Sequence, residues 1–114
     1  MRLLQIKDHP NYWVSTDGDV YKYKNGKYKK CNAYTDGGQL RVCIDGVYRY
    51  ISRLVMQAFK PSTDKRKKKV YHVDGDKFNN KLTNLIWATD SEIQLFSSYT
   101  KEYRKKLLSD RARE

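Results

Sequence analysis

Residues 70–89, VYHVDGDKFNNKLTNLIWAT, constrain this chain more than any other segment. Val70 and Tyr71 favour a strand, Asp74-Gly75-Asp76 and Asn79-Asn80 carry turn chemistry, and Leu85-Ile86-Trp87 resumes an apolar strand. The segment predicts a strand, a polar loop and a second strand, with His72 at the end of the first. Leu82, Leu85, Ile86 and Trp87 anchor it in a core. A lone two-stranded hairpin is marginal in water, so this one must pack against the rest of the chain.

Upstream, Asx-Gly pairs punctuate short apolar runs. Asp17-Gly18 stands between 12–15 and 20–23, Asn25-Gly26 follows, and Asp45-Gly46 stands between 40–44 and 47–51. Together they predict one twisted antiparallel sheet from about residue 12 to 51. Apolar residues at 51, 54, 55 and 58 then predict a short helix that ends before Pro61. Residues 60–69, KPSTDKRKKK, form a basic connector. Beyond residue 89, Asp90 or Ser91 is the expected cap of a helix carrying Ile93, Leu95 and Phe96. The expected fold class is α+β: a β-rich module with a short helix over 1–59, the connector 60–69, a ββα unit over 70–100, and a frayed basic helical tail over 101–114. Sheet and ββα unit are expected to pack as one domain.

Composition narrows the partners. A chain of 114 residues buries only a modest core. Its 24 Lys and Arg against 13 Asp and Glu leave a net charge of +11, which calls for a polyanion. No apolar run approaches bilayer length, MRLLQIKDHP lacks a signal-peptide core, and 101–114 is too polar for a membrane-surface anchor. No membrane partner is expected, and the cytoplasm is the expected location. Cys31 and Cys43, separated by eleven residues and outside any CxxC pair, read as two reduced thiols rather than a zinc ribbon or redox motif.

Lys65, Arg66, Lys67, Lys68 and Lys69 precede the hairpin and are candidate phosphate contacts, although such a run is ordinarily a solvated loop. Lys22, Lys24, Lys29 and Lys30, then Arg41, Arg49 and Arg53, extend the candidate nucleic-acid surface. Strand alternation puts 21 and 23 on one face and 22 and 24 on the other, and a two-stranded ribbon of this kind can enter a major groove. The tyrosines are more commonly half-buried strand formers, Asn79 and Asn80 are read first as plain turn formers, and His9 is expected to be a solvated side chain.

The back half resembles the HNH nucleases of the ββα-metal type, in the form found in phage homing endonucleases. The front half is similar to the β-rich module that often precedes that motif. YWVSTDGDV at 12–20, Arg53-Leu54-Val55 with Phe59, HVDGDKFNN at 72–80 and Asn84-Leu85-Ile86-Trp87 carry the likeness, which runs over roughly residues 10–96. The resemblance implies that His72 is the general base that draws a proton from water. It implies that Asn84 holds the hairpin and orients that histidine. It also implies a divalent metal, magnesium or manganese, at the scissile phosphate. In the family the ligands come from the residue before the histidine and from an asparagine on the following helix. Here those positions are Tyr71 and Ile93, neither a magnesium ligand by type. Asp74, Asp76, Asp90 and Glu92 are the candidate replacements.

Three functions follow. One is a metal-dependent endonuclease that nicks or cuts duplex DNA in a bacterial cytoplasm. The second is an inactive relative that occupies DNA or blocks a host protein. The third, an RNA-associated basic protein, lacks an RNA-recognition signature. No helix-turn-helix follows the hairpin, so DNA recognition is expected from the sheet, the connector or the tail.

Overall fold

The computed structural model describes residues 1–67 and 69–113, and Lys68 of the basic run lies outside the described residues. Four strands, β1 (Leu3–Ile6), β2 (His9–Ser15), β3 (Val20–Lys24) and β4 (Lys27–Lys30), form one antiparallel sheet in sequence order. Three more, β5 (Tyr34–Asp36), β6 (Gln39–Ile44) and β7 (Val47–Tyr50), form a second. Asn25 and Gly26 both hold positive φ, as do Asp45 and Gly46, which is the geometry of tight hairpin turns matched to strand twist.

The single sheet expected over 12–51 is therefore two. The break follows β4, whose sequence KYKK is exposed throughout. A lysine-rich edge repels a further strand, and the chain leaves the sheet there. The first sheet also begins earlier than expected, because β1 pairs with β2.

Helix α1 (Ile51–Phe59) buries Ile51, Leu54, Val55 and Met56 against Val14, Val20, Val42, Ile44 and Leu85. Both sheets and the following hairpin thus share one core. In that hairpin, β8 (Lys69–His72) pairs with β9 (Leu85–Ala88), placing Val70 opposite Trp87, Tyr71 opposite Ile86 and His72 opposite Leu85. Alternation sends Val70, Trp87 and Leu85 to the first core. Tyr71 and Ile86 face a second core of Val73, Ala88, Phe96, Leu108 and Ala112. The hairpin is sandwiched.

Helix α2 (Asp90–Ser97) is capped by Thr89 rather than by Asp90 or Ser91. Glu92 N–H donates to Thr89 Oγ1 at 3.1 Å and Thr89 N–H donates to Glu92 Oε1 at 3.1 Å, a reciprocal capping box that satisfies two otherwise free donors. Helix α3 (Lys101–Arg113) corrects the frayed tail. Leu108 and Ala112, four residues apart and so on one helix face, are buried beneath the hairpin. Among the described residues no helix is long and apolar enough to cross a membrane, and Cys31 and Cys43 are unpaired.

Candidate active site and nucleic-acid surface

A cleft of about 640 Å³ opens between the front module and the ββα unit, with Tyr50, Arg53, Lys69, His72, Asp90 and Arg104 among its lining residues. Helices α1, α2 and α3, strand β8 and the ends of β6 and β7 converge there. His72 ends β8 and is 6% exposed. Its Nε2 lies 2.8 Å from Asn80 Oδ1. An amide oxygen only accepts, so Nε2 carries the hydrogen and Nδ1 keeps its lone pair. Among the described residues Arg41 Nε is the one buried side-chain nitrogen or oxygen without a hydrogen-bond partner. His72 Nδ1, which bonds to no described protein group, therefore meets solvent. Burial pushes the imidazole pKa below its ordinary value, against smaller upward pulls from the Asn80 hydrogen bond and from Asp74 and Asp76. At neutral pH the ring is uncharged, the form a base needs.

The loop after His72 is closed by Asp74 and Asn84. Asp74 N–H donates to Asn84 Oδ1 at 3.0 Å, while Asn84 Nδ2 donates to Asp74 Oδ1 and to the Asn79 carbonyl, each at 2.9 Å. Asp76 N–H and Asn79 Nδ2 donate to the same carboxylate at 2.8 and 2.9 Å. Burial pushes the Asp74 pKa up, but the hydrogen bonds from Asn79, Asp76 and Asn84 outweigh it and hold the group ionised. Asn84 thus ties the loop ends together, and the contact to the imidazole falls to Asn80. In the sequence Asn80 is indistinguishable from a turn former, because its partner lies eight residues back.

The candidate metal ligands are not gathered. Both Asp74 oxygens accept hydrogen bonds within the loop, and Asp76 is exposed and accepts from Phe78 N–H at 3.0 Å. Asp90 lines the cleft with Lys69 Nζ at 2.6 Å from its Oδ1. Glu92 is committed to the capping box and to Arg111 at 3.2 Å, with Lys67 at 4.0 Å. Tyr71 stacks with Phe96 at 5.4 Å under the Arg104 guanidinium at 5.9 Å, and Ile93 packs on the second core. Among the described residues no three His, Cys, Asp or Glu side chains come together. This donor set does not fit a divalent ion held by the chain's own side chains. What the cleft offers is positive charge: Arg53, Lys69, Lys77 and Arg104 line it with Asp90. Arg104 comes from α3, where its Nε–H donates to the Val73 carbonyl at 2.9 Å. Nothing in the spacing of α3 points to it.

The candidate phosphate contacts fall into separate places. Lys22 lies opposite Lys29 and Lys24 opposite Lys27, so four exposed lysines share one face of the β3–β4 hairpin. The opposite face carries Tyr21, Tyr23, Tyr28 and Lys30, the last paired with Asp19 at 3.2 Å. Lys22 Nζ sits 5.6 Å from the Tyr12 ring. Arg41 is held 3.4 Å from Asp36 and stacks on Tyr48, and Arg49 borders a different hollow beside Asp8 and His9. Lys65 and Arg66 are exposed, Arg66 being paired with Asp64 at 3.3 Å. His9, expected to be solvated, is instead paired through Nδ1 with Asp45 at 2.8 Å.

An HNH endonuclease family model, HNH_3, matches residues 49–95. Two uncharacterized HNH endonucleases of Acanthamoeba polyphaga mimivirus are similar. One is 31% identical over 109 residues, 91% of this chain and 33% of its own length. The other is 34% identical over 95 residues, 78% of this chain and 23% of its own. The chain spans a third or less of these curated relatives. A solved structure of the HNH homing endonuclease I-HmuI, described as one of DNA binding and cleavage, superposes with a TM-score of 0.66 at 30% identity, covering 95% of this chain and 66% of that one. In sequence from the end of β7 through most of α2, and in fold along nearly its whole length, this is an HNH-like protein.

Proposed function

We propose that this chain binds duplex DNA and hydrolyses a phosphodiester bond at the cleft, with His72 as general base. The observation that carries the reading is the cleft-lining His72 ring, whose Nε2 is occupied by Asn80 and whose Nδ1 bonds to no described protein group. Water gives a proton to Nδ1 as its oxygen attacks phosphorus. The bond from phosphorus to one sugar oxygen breaks, and that oxygen takes a proton from solvent. Arg53, Lys69, Lys77 and Arg104, which line the cleft, offset the phosphate charge. The lysine face of β3–β4 grips the duplex backbone. The similarity to I-HmuI, a homing endonuclease described as binding and cleaving DNA, supports the choice of substrate.

A second reading has an observation of its own. Ile93 packs on the second core and Asp90 is paired with Lys69, which suits a relative that binds DNA without cutting it. Incubation with supercoiled plasmid in chelator, in magnesium and in manganese separates the two. Relaxed circles in any of these support hydrolysis; intact supercoiled DNA in all of them, at saturating protein, overturns it. Nicking by a Tyr71→Asp, Ile93→Asn double variant of a silent parent would show a scaffold that has lost its ion.

A further inference from the structure

The front module reaches the candidate base through one turn. Leu82 N–H donates to the Thr16 carbonyl at 2.8 Å, pinning the β2–β3 turn against the returning arm of the loop. Beside it Gly18 holds φ +88°, and a Cβ placed there would lie 2.7 Å from both the Cβ and the carbonyl oxygen of Asn80. The turn geometry alone favours glycine. The approach demands it a second time. At Gly26, Gly37, Gly38 and Gly46, also of positive φ, a Cβ would meet nothing within 4 Å. Gly18 is the turn glycine pressed against backbone.

Asn80 differs from its neighbour in the same way. Lys81 N–H donates to Asn79 Oδ1, the local bond that turn asparagines make. The Asn80 side chain instead crosses the loop to His72 and is 4% exposed. We propose that the β2–β3 turn is a positioning device for the base: Gly18 admits the Asn80 backbone, and Asn80 fixes the tautomer and plane of the His72 ring. Asn80 touches no reacting atom and is a positioning residue. The front module then does more than present lysines, since it completes the environment of a residue on the other side of the cleft.

The inference rests on the reading of His72 as base, but its first readout does not. Long-range ¹⁵N–¹H correlations of the intact chain, recorded where the ring is neutral, report the tautomer directly. The unaltered chain is expected to show the Nε2–H form alone, and Asn80→Ala a mixture with Nδ1–H. Asn80→Asp keeps an acceptor in place and should restore the single form. Gly18→Ala should reproduce the mixture. Should Gly18→Ala not fold, an NOE between Gly18 Hα and Asn80 Hβ in the unaltered chain tests the same contact, and its absence overturns that half. In the plasmid assay Asn80→Ala should slow nicking at least about tenfold, less than the roughly 10²–10⁴ expected for removing the base, with recovery in Asn80→Asp. An Nδ1–H tautomer in the unaltered chain, or a tautomer unchanged in Asn80→Ala, refutes the proposal. A parent that never nicks refutes the catalytic reading instead, and the tautomer still decides this one.

Discussion

Replacing Lys22, Lys24, Lys27 and Lys29 together by glutamine should weaken DNA binding while making the protein more stable. The four are exposed and face one another in two directly opposed pairs across β3 and β4. Like charges opposed across a strand pair cost roughly 0.2–1 kcal/mol, so relieving two pairs gains about 0.4–2 kcal/mol at low salt. For a domain of this size that raises the melting temperature by a few degrees, about 4 °C per kcal/mol. Binding moves the other way. Each neutralised phosphate contributes about 0.9 to the slope of log K against log salt, so four contacts contribute about 3.6. Over a fourfold rise in salt, from about 50 to 200 mM, that is about 2.2 decades, or roughly 150-fold in affinity. Fluorescence anisotropy with a labelled duplex at several salt concentrations reads the slope, and calorimetry reads the melting temperature. A variant that is stabilised yet keeps the parental slope would refute the hairpin as a DNA surface. A destabilised variant would refute the reasoning that the opposed lysine pairs repel across β3 and β4.

Leu108→Ala should cost about 2–5 kcal/mol in urea denaturation, because Leu108 is buried in the second core; a frayed tail would show no change. Burial raises the Glu92 pKa, but the Thr89 backbone bond and the nearby Arg111 and Lys67 outweigh it and the pKa is lowered. Its contribution is therefore present above the unfolded carboxylate pKa of about 4.3 and lost as pH falls through the lower folded value. Glu92→Gln should accordingly destabilise at pH 7 and converge with the parent in strong acid, which urea midpoints at the two pH values check. The His72 pKa is lowered chiefly by burial, so NMR titration should find its midpoint below about 6.5. The same shift makes stability complete above about pH 6.5 and progressively lost as pH falls towards the folded value, since the unfolded ring binds the proton first.

Hairpins whose turns need two residues of positive φ announce themselves as Asn-Gly or Asp-Gly, and 25–26 and 45–46 were legible for that reason. The β1–β2 turn was not, because Asp8 takes φ +67° with no glycine beside it. Turn chemistry also reports which strands are joined, not which hairpins share a sheet, so two sheets read as one. Thr89-x-x-Glu92 satisfies the capping-box pattern in the sequence itself, but Asp90 and Ser91 are equally good caps by type and compete with it. The position of His72 on the hairpin was legible from local pattern and from family likeness. Its environment was not. Asn80, Gly18 and Arg104 act through contacts across the fold, and neither α3 nor the β2–β3 turn carries a signal of what it will touch.

The proposed hydrolysis rests on His72 above every other side chain. Single-turnover nicking by the unaltered chain and by His72→Ala, compared at equal DNA occupancy established by anisotropy, isolates the proton transfer from binding. His72 lines the cleft without belonging to the lysine ribbon, so affinity should be nearly unchanged while the rate falls by about 10²–10⁴. Equal rates at equal occupancy would contradict the assignment of this histidine as the base.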